Sequence, residues 1–290
     1  MKKRLFFFLL TAILLVGVFV PAANAASPAG NVAEGTCGTG LTWVLDNAGA
    51  LTVSGTGDMT DFSSLSAVPW ASYRSTIQYI NVAYGVTSIG DYAFAYCSAL
   101  KGTQIALPTG ITSIGMSAFE SCSTMTGIAL PNSVTSIGKS AFSRCAGLTS
   151  ISIPNSVTSI GNHAFSSCTG LTSITIPGGV TSIGVGAFMG CSNLTAIRVE
   201  EGNTYYSDID GVLFDKAQSN LICFPAAKPD TAYALPSGVT SIGDYAFYTC
   251  TNLTSITLSD SVASIGYGAF KNCTDLTSIT IPASVTSIGF

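Results

Sequence analysis

The sequence predicts a β-rich repeat solenoid, and three observations carry that expectation. The phrase LTSISIPNSVTSIGNHAFSSCTG, Leu148 to Gly170, returns along most of the chain at a period of 23 residues. Apolar residues hold fixed offsets within it, here Leu148, Ile151, Ile153, Val157, Ile160, Ala164, Phe165 and Cys168, and the same offsets recur at Leu171–Cys191, Met125–Cys145 and Leu253–Cys273. A unit this short cannot bury its own apolar face, so copies must stack on one another.

Residues 1–25 stand outside the repeat. Met1-Lys2-Lys3-Arg4 is basic, Leu5 to Val20 is apolar apart from Thr11 and Gly17, and Ala23-Asn24-Ala25 precedes an expected cut before Ala26. That is the three-part pattern of a secretory signal peptide. An uncleaved anchor is the rival reading, but the apolar stretch is short of a full span and the cleavage pattern follows at once. No second apolar run of that length follows, so no membrane span is expected after cleavage. Residues 26–36 read as a flexible mature N-terminus. Residues 37–76 read as an N-terminal β-hairpin cap: Leu41–Leu45 and Leu51–Ser54 alternate around a turn-rich Asp46–Ala50. Trp43 and Trp70 are expected to pack in that cap, with ligand stacking as the alternative.

The repeat region runs from 77 to 290. In each unit, Ile151-Ser152-Ile153 alternates as a short strand with both isoleucines inward. Pro154 stands at its end, where a missing N–H costs least. Val157 to Ile160 is a second β-branched run, closed by Gly161. His163 to Cys168 has the spacing of a single helical turn. The stacked rings Phe94, Phe119, Phe142, Phe165, Phe188, Phe247 and Phe270 should form a ladder through the core.

Three irregularities interrupt the period. Two extra residues lie near Lys101-Gly102-Thr103, a local bulge. The unit 194–229 is enlarged, with an expected hairpin between Val212–Phe214 and Leu221–Phe224. The last unit, from 276, stops before its Ala-Phe and cysteine, which suggests a fragment of a longer protein or an end covered by a partner.

Composition narrows function. Removing the signal leaves eight basic residues against fifteen acidic ones. No basic patch remains for phosphate backbones, so nucleic acid is not an expected partner. Seven of the nine cysteines, Cys97, Cys122, Cys145, Cys168, Cys191, Cys250 and Cys273, share one repeat position and are expected as buried free thiols; occasional rung-to-rung disulfides are the alternative. Cys37 and Cys223 fall outside that series. No C-x-x-C pair exists, so no zinc site is expected. His163 is the single histidine, at a position occupied elsewhere by Ser140, Gly186 or Tyr267, and reads as a solvated turn residue rather than a catalytic base. Asp208, Asp210 and Asp215, with Glu200 and Glu201, suit calcium by atom type, yet their spacing matches no loop motif and turn formation is the plainer reading. The sequence thus implies no catalytic residue, cofactor or metal. What remains for binding is the outward face of the strands: Ser150, Ser152, Ser173, Thr175, Arg198, Ser255, Thr257, Ser278 and Thr280.

The segments Ser159-Ile160-Gly161, Ala164-Phe165 and Cys168, repeated with L-x-x-I-x-I-P strands, resemble the BspA-like leucine-rich repeats of bacterial surface proteins over about residues 77 to 290. Asp210–Phe214 and Phe224-Pro225 resemble that family's variant repeat. The resemblance implies a leucine-rich-repeat-like right-handed coil with two short strands and a helical turn per unit. It also implies a non-enzymatic, secreted or cell-surface protein that mediates adhesion by binding extracellular proteins or glycans. A structural spacer displaying domains missing from this chain is the alternative.

Overall fold

The computed structural model describes residues 30–101 and 105–290; the expected signal segment and the extra residues at Gly102-Thr103 lie outside the described residues. The chain coils into stacked rungs. Strands Gly57–Asp58, Val86–Ile89, Ser113–Ile114, Ser136–Ile137, Ser159–Ile160 and Ser182–Ile183 form one parallel ladder in chain order. Register is like on like: Ser136 pairs with Ser159 and Ile137 with Ile160. Identical rungs can pair only this way without turning an isoleucine out of the core. From Ser113–Ile114 onward each of these strands is preceded by a turn closed on a proline carbonyl, as in Val157 N–H to Pro154 O at 3.0 Å. Repeated threonines extend the ladder, with Thr158 Oγ1 donating to Thr135 O and Thr181 Oγ1 to Thr158 O.

The third segment of the rung is not the helical turn expected from its spacing. His163 and Ser167 are left-handed, at φ 56° and 58°. The N–H groups of His163, Phe165 and Ser167 donate to Val185, Ala187 and Met189 of the next rung, at 3.0, 2.8 and 2.7 Å. Those of Ala164, Ser166 and Cys168 close turns on the residues three before them. A helix would direct all of these groups along its own axis; here alternate amides leave for the neighbour, and stacking outweighs the roughly 1–2 kcal/mol cost of each left-handed residue. Among the described residues the only helical pieces are two 3₁₀ turns, Leu65–Ala67 and Ala71–Tyr73. No helix among them is long and apolar enough to cross a membrane.

At the N-terminal end, Leu41–Asp46 and Ala50–Gly55 form the expected hairpin. Ala50–Gly55 then pairs in parallel with Tyr79–Val82, joining the hairpin to the first rung. The segment expected to be flexible through residue 36 is a strand from Asn31 to Gly38, antiparallel to Leu41–Asp46. It covers an edge that would otherwise stay unpaired. Of its residues only Cys37 is buried, so no apolar alternation announced it. Both tryptophans are core residues. Trp70 is fully buried, donates from Nε1 to Ala93 O at 2.7 Å, and stacks on Phe94 with ring centres 6.0 Å apart.

The phenylalanine ladder then runs through Phe119, Phe142, Phe165 and Phe188 at spacings of 5.3 to 5.8 Å. It resumes at Phe224, a member not expected from the period, and continues to Phe247 and Phe270 at 5.2 Å each. The enlarged unit contains the expected hairpin, Val212–Asp215 against Asn220–Cys223, and a third antiparallel strand, Tyr206–Ile209.

Candidate binding surfaces

All nine predicted surface residues are exposed. They form separate patches rather than one face. Ser173 and Thr175 stand beside Ala196 and Arg198, whereas Ser255 and Thr257 stand beside Ser278 and Thr280 in a different sheet. The hairpin turn of the enlarged unit lies against the first patch, with Ile197 N–H donating to Gly211 O at 2.9 Å. Ser152 bridges to Ala129, while Ser173–Ile176 pairs with Ala196–Val199 alone among the described strands. The rungs part between them and leave a groove of about 380 Å³, lined by Ser150, Ser152, Ser173, Thr175 and Glu200 among others. Arg198 is engaged by Asp208 at 3.2 Å.

The repeated cysteines are free thiols with a common bond. Cys122, Cys145, Cys168, Cys191 and Cys273 each direct Sγ to the phenylalanine carbonyl of the preceding rung, at 2.9 to 3.1 Å. That carbonyl also accepts its own rung's cysteine N–H, as in Cys168 N–H to Phe165 O at 3.2 Å. The thiol is therefore both a core filler and a donor. Burial pushes Cys97 and Cys191 up to about 12 and Cys37 up to about 11, and holds Cys122, Cys145 and Cys168 well above the ordinary thiol range. Thiolate chemistry is correspondingly disfavoured.

His163 is not simply solvated: its Nδ1 is buried without a partner, and its ring meets Tyr245 edge-on with centres 6.1 Å apart. Gly186 makes room for it, since a Cβ there would fall 2.7 Å from the imidazole. The acidic residues act in turns. Asp208 accepts from Val199 N–H and Gly211 N–H, and Asp215 from Ser219 and Asn220. Among the described residues no three histidine, cysteine, aspartate or glutamate side chains converge on a metal position.

A cavity that sequence reasoning missed lies at the corner beside the enlarged unit. Leu221 pairs with Ser-Ile position Ile242, and Phe224 N–H reaches Ala246 O as Phe247 N–H reaches Ala269 O. Three residue steps thus separate Leu221 from Phe224, where five separate Ile242 from Phe247. The corner is two residues short, and a cavity of about 360 Å³ opens between Val185 and Asp244, with Ile183, Phe188, Tyr206 and Ile222 in its lining. Gly186, Phe188 and Gly190 occupy the positions of His163, Phe165 and Ser167 one rung earlier, yet their N–H groups have no hydrogen-bond partner among the described residues. Across the cavity the Asp244 carbonyl occupies the position at which Val185 O accepts from His163, and nothing among the described residues donates to it. Tyr206 compensates in part: its hydroxyl accepts from Ile183 N–H at 2.8 Å. The spacing between Leu221 and Phe224 was the signal that could have revealed the notch.

Stacked rungs of short parallel strands, with one inward leucine or methionine per turn, define a leucine-rich-repeat β-solenoid. Residues 87–209 and 223–290 match the BspA-type leucine-rich repeat region in six copies, and the chain belongs to that family. A leucine-rich repeat protein from Eubacterium ventriosum is 31% identical, with a TM-score of 0.72 over 89% of this chain and 68% of its own. A leucine-rich cell surface protein from Faecalibacterium prausnitzii is 27% identical, with a TM-score of 0.65 over 90% of this chain and 78% of its own. The pneumococcal vaccine antigen PcpA, 23% identical with a TM-score of 0.62 over 87% of this chain and 71% of its own, shares the fold. No curated protein matches the chain.

Proposed function

We propose that this is a non-enzymatic, secreted or cell-surface protein that binds extracellular proteins or glycans through the outward hydroxyls of its strands. The observation that carries the reading is the in-register display of Ser173 and Thr175, and of Ser255 and Thr257 with Ser278 and Thr280, all exposed. Strands stack at about 4.8 Å, so such rows present evenly spaced donors and acceptors. Many modest contacts of this kind gain strength when they act together. The cell-surface character of the Faecalibacterium relative and the signal pattern at residues 1–25 support export. Buried thiols and a histidine without a catalytic partner support a binding role over chemistry.

The test is binding of the exported chain to immobilised matrix proteins and to a glycan array. Saturable binding is expected, weakened about tenfold or more by Ser173→Glu with Thr175→Glu, since the added charges must be desolvated at the contact. Absence of saturable binding across both panels would leave the structural spacer as the better reading.

A further inference from the structure

The corner notch lies on a different part of each rung from the strand hydroxyls and has its own chemistry. We propose that it binds an extended segment of polypeptide, which takes the place of the corner that the enlarged unit lacks.

The walls of the notch specify backbone as the occupant. Everywhere else in the regular stack, amides at alternate corner residues donate to carbonyls at alternate residues of the next corner: 140 to 162, 142 to 164 and 144 to 166, then 163 to 185, 165 to 187 and 167 to 189. The amides of Gly186 and Phe188 continue that series into the cavity without partners, and the Asp244 carbonyl faces the series from the other side. A ligand that satisfies both walls must carry carbonyls on alternate units along one edge and an N–H on the other, the arrangement of a peptide chain. This is edge completion of the kind seen when an extended peptide adds to a sheet, transferred to a ladder of corners.

Ile183, Phe188 and Ile222 offer an apolar floor for one side chain of the guest. The charged residues of the lining are Asp215 and Asp244, both acidic, so the unpaired amides are not set up for phosphate or carboxylate, and a neutral or basic segment is favoured. The volume, about 360 Å³, lies within the range of ligand pockets.

The probe is the acetylated and amidated peptide TSIGNHAFSS, the chain's own corner at residues 158–167. It is titrated into the full chain while hydrogen exchange is followed residue by residue. In the free protein the Gly186 and Phe188 amides should exchange faster than those of His163 and Phe165, which are bonded to the next rung. Saturating peptide should slow Gly186 and Phe188 by about tenfold or more. Val185→Trp, at a side chain 45% exposed on the lip, should abolish that protection while leaving exchange at Phe119 and Phe142 unchanged. Ser173→Glu with Thr175→Glu should leave it intact, which separates this site from the strand face. No protection at millimolar peptide, protection that survives Val185→Trp with the fold intact, or protection by free glycans in place of the peptide would each overturn the proposal.

Discussion

A regular rung, 148–170, and the enlarged unit, 194–229, meet the same need in different ways. The regular rung satisfies its backbone through its neighbours: alternate corner amides go to the next rung, and Cys168 Sγ returns to Phe142 O at 3.0 Å. The enlarged unit breaks the period, so neighbour bonds are replaced by side chains. Asn203 is fully buried and takes four such bonds, donating to Pro177 O and Val180 O and accepting from Tyr205 N–H and Tyr206 N–H. In the regular rung the bond at the place of Val180 O is made by a serine, as in Ser156 Oγ to Val134 O at 2.7 Å. Repetition thus yields a ladder automatically, whereas a single irregular unit must supply specific polar groups, and where it supplies too few a cavity remains.

The largest expected effect tests the regular side of this contrast. Phe142→Ala removes a fully buried ring held between Phe119 and Phe165, and should cost about 3–5 kcal/mol in urea unfolding. A loss near 1 kcal/mol would mean that the ladder repacks and the rungs are looser than their spacing implies.

Asn203→Ala tests the irregular side. It strands two buried carbonyls and two half-buried amides, and should cost about 3 kcal/mol, against about 1 kcal/mol for Ser156→Ala with its single bond. Equal losses in the two variants would erase the distinction between a side-chain-built unit and a neighbour-built one.

Alkaline titration probes the regular stack again. The thiols of Cys97 and Cys191 ionise from an ordinary value of 9.0 when unfolded but only at about 12 in the fold, because burial disfavours the thiolate. Their contribution is therefore complete below pH 9 and lost as pH rises toward 12. At pH 10 each should have given up about 1.4 kcal/mol, and urea midpoints at pH 7 and pH 10 measure the loss. Cys191→Ala should flatten that dependence.

The smallest effect concerns the junction itself. Tyr206→Phe deletes the hydroxyl that accepts from Ile183 N–H, and should cost about 1 kcal/mol, with faster exchange confined to the Ile183 amide. Faster exchange throughout the Ser182–Ile183 rung would show that Tyr206 holds the two stacks together rather than capping one group.

Much of this was legible in the residues themselves. The offsets of Leu148, Ile151, Ile153, Val157, Ile160 and Phe165 named the inward side chains, and the Val212–Phe214 and Leu221–Phe224 runs named the hairpin. The strand at Asn31–Gly38 was not legible, since its stability comes from covering an edge rather than from burying its own side chains. Phe224 was hidden because the two-residue shortening moved it out of period. The strand-face residues are exposed, but their division into patches depends on where the enlarged unit's turn packs.

The sequence by itself determined the period, the inward residues and the stacking of like on like, because burial of a short amphipathic unit depends only on what each unit repeats. Tertiary structure alone decided the conformation of the corners and the notch. The partner of a corner amide lies 22 residues away in the next rung, so local spacing suggested a helical turn where stacked left-handed turns form. An amide left without a partner leaves no mark on its own residue; it is defined by the neighbour that fails to arrive.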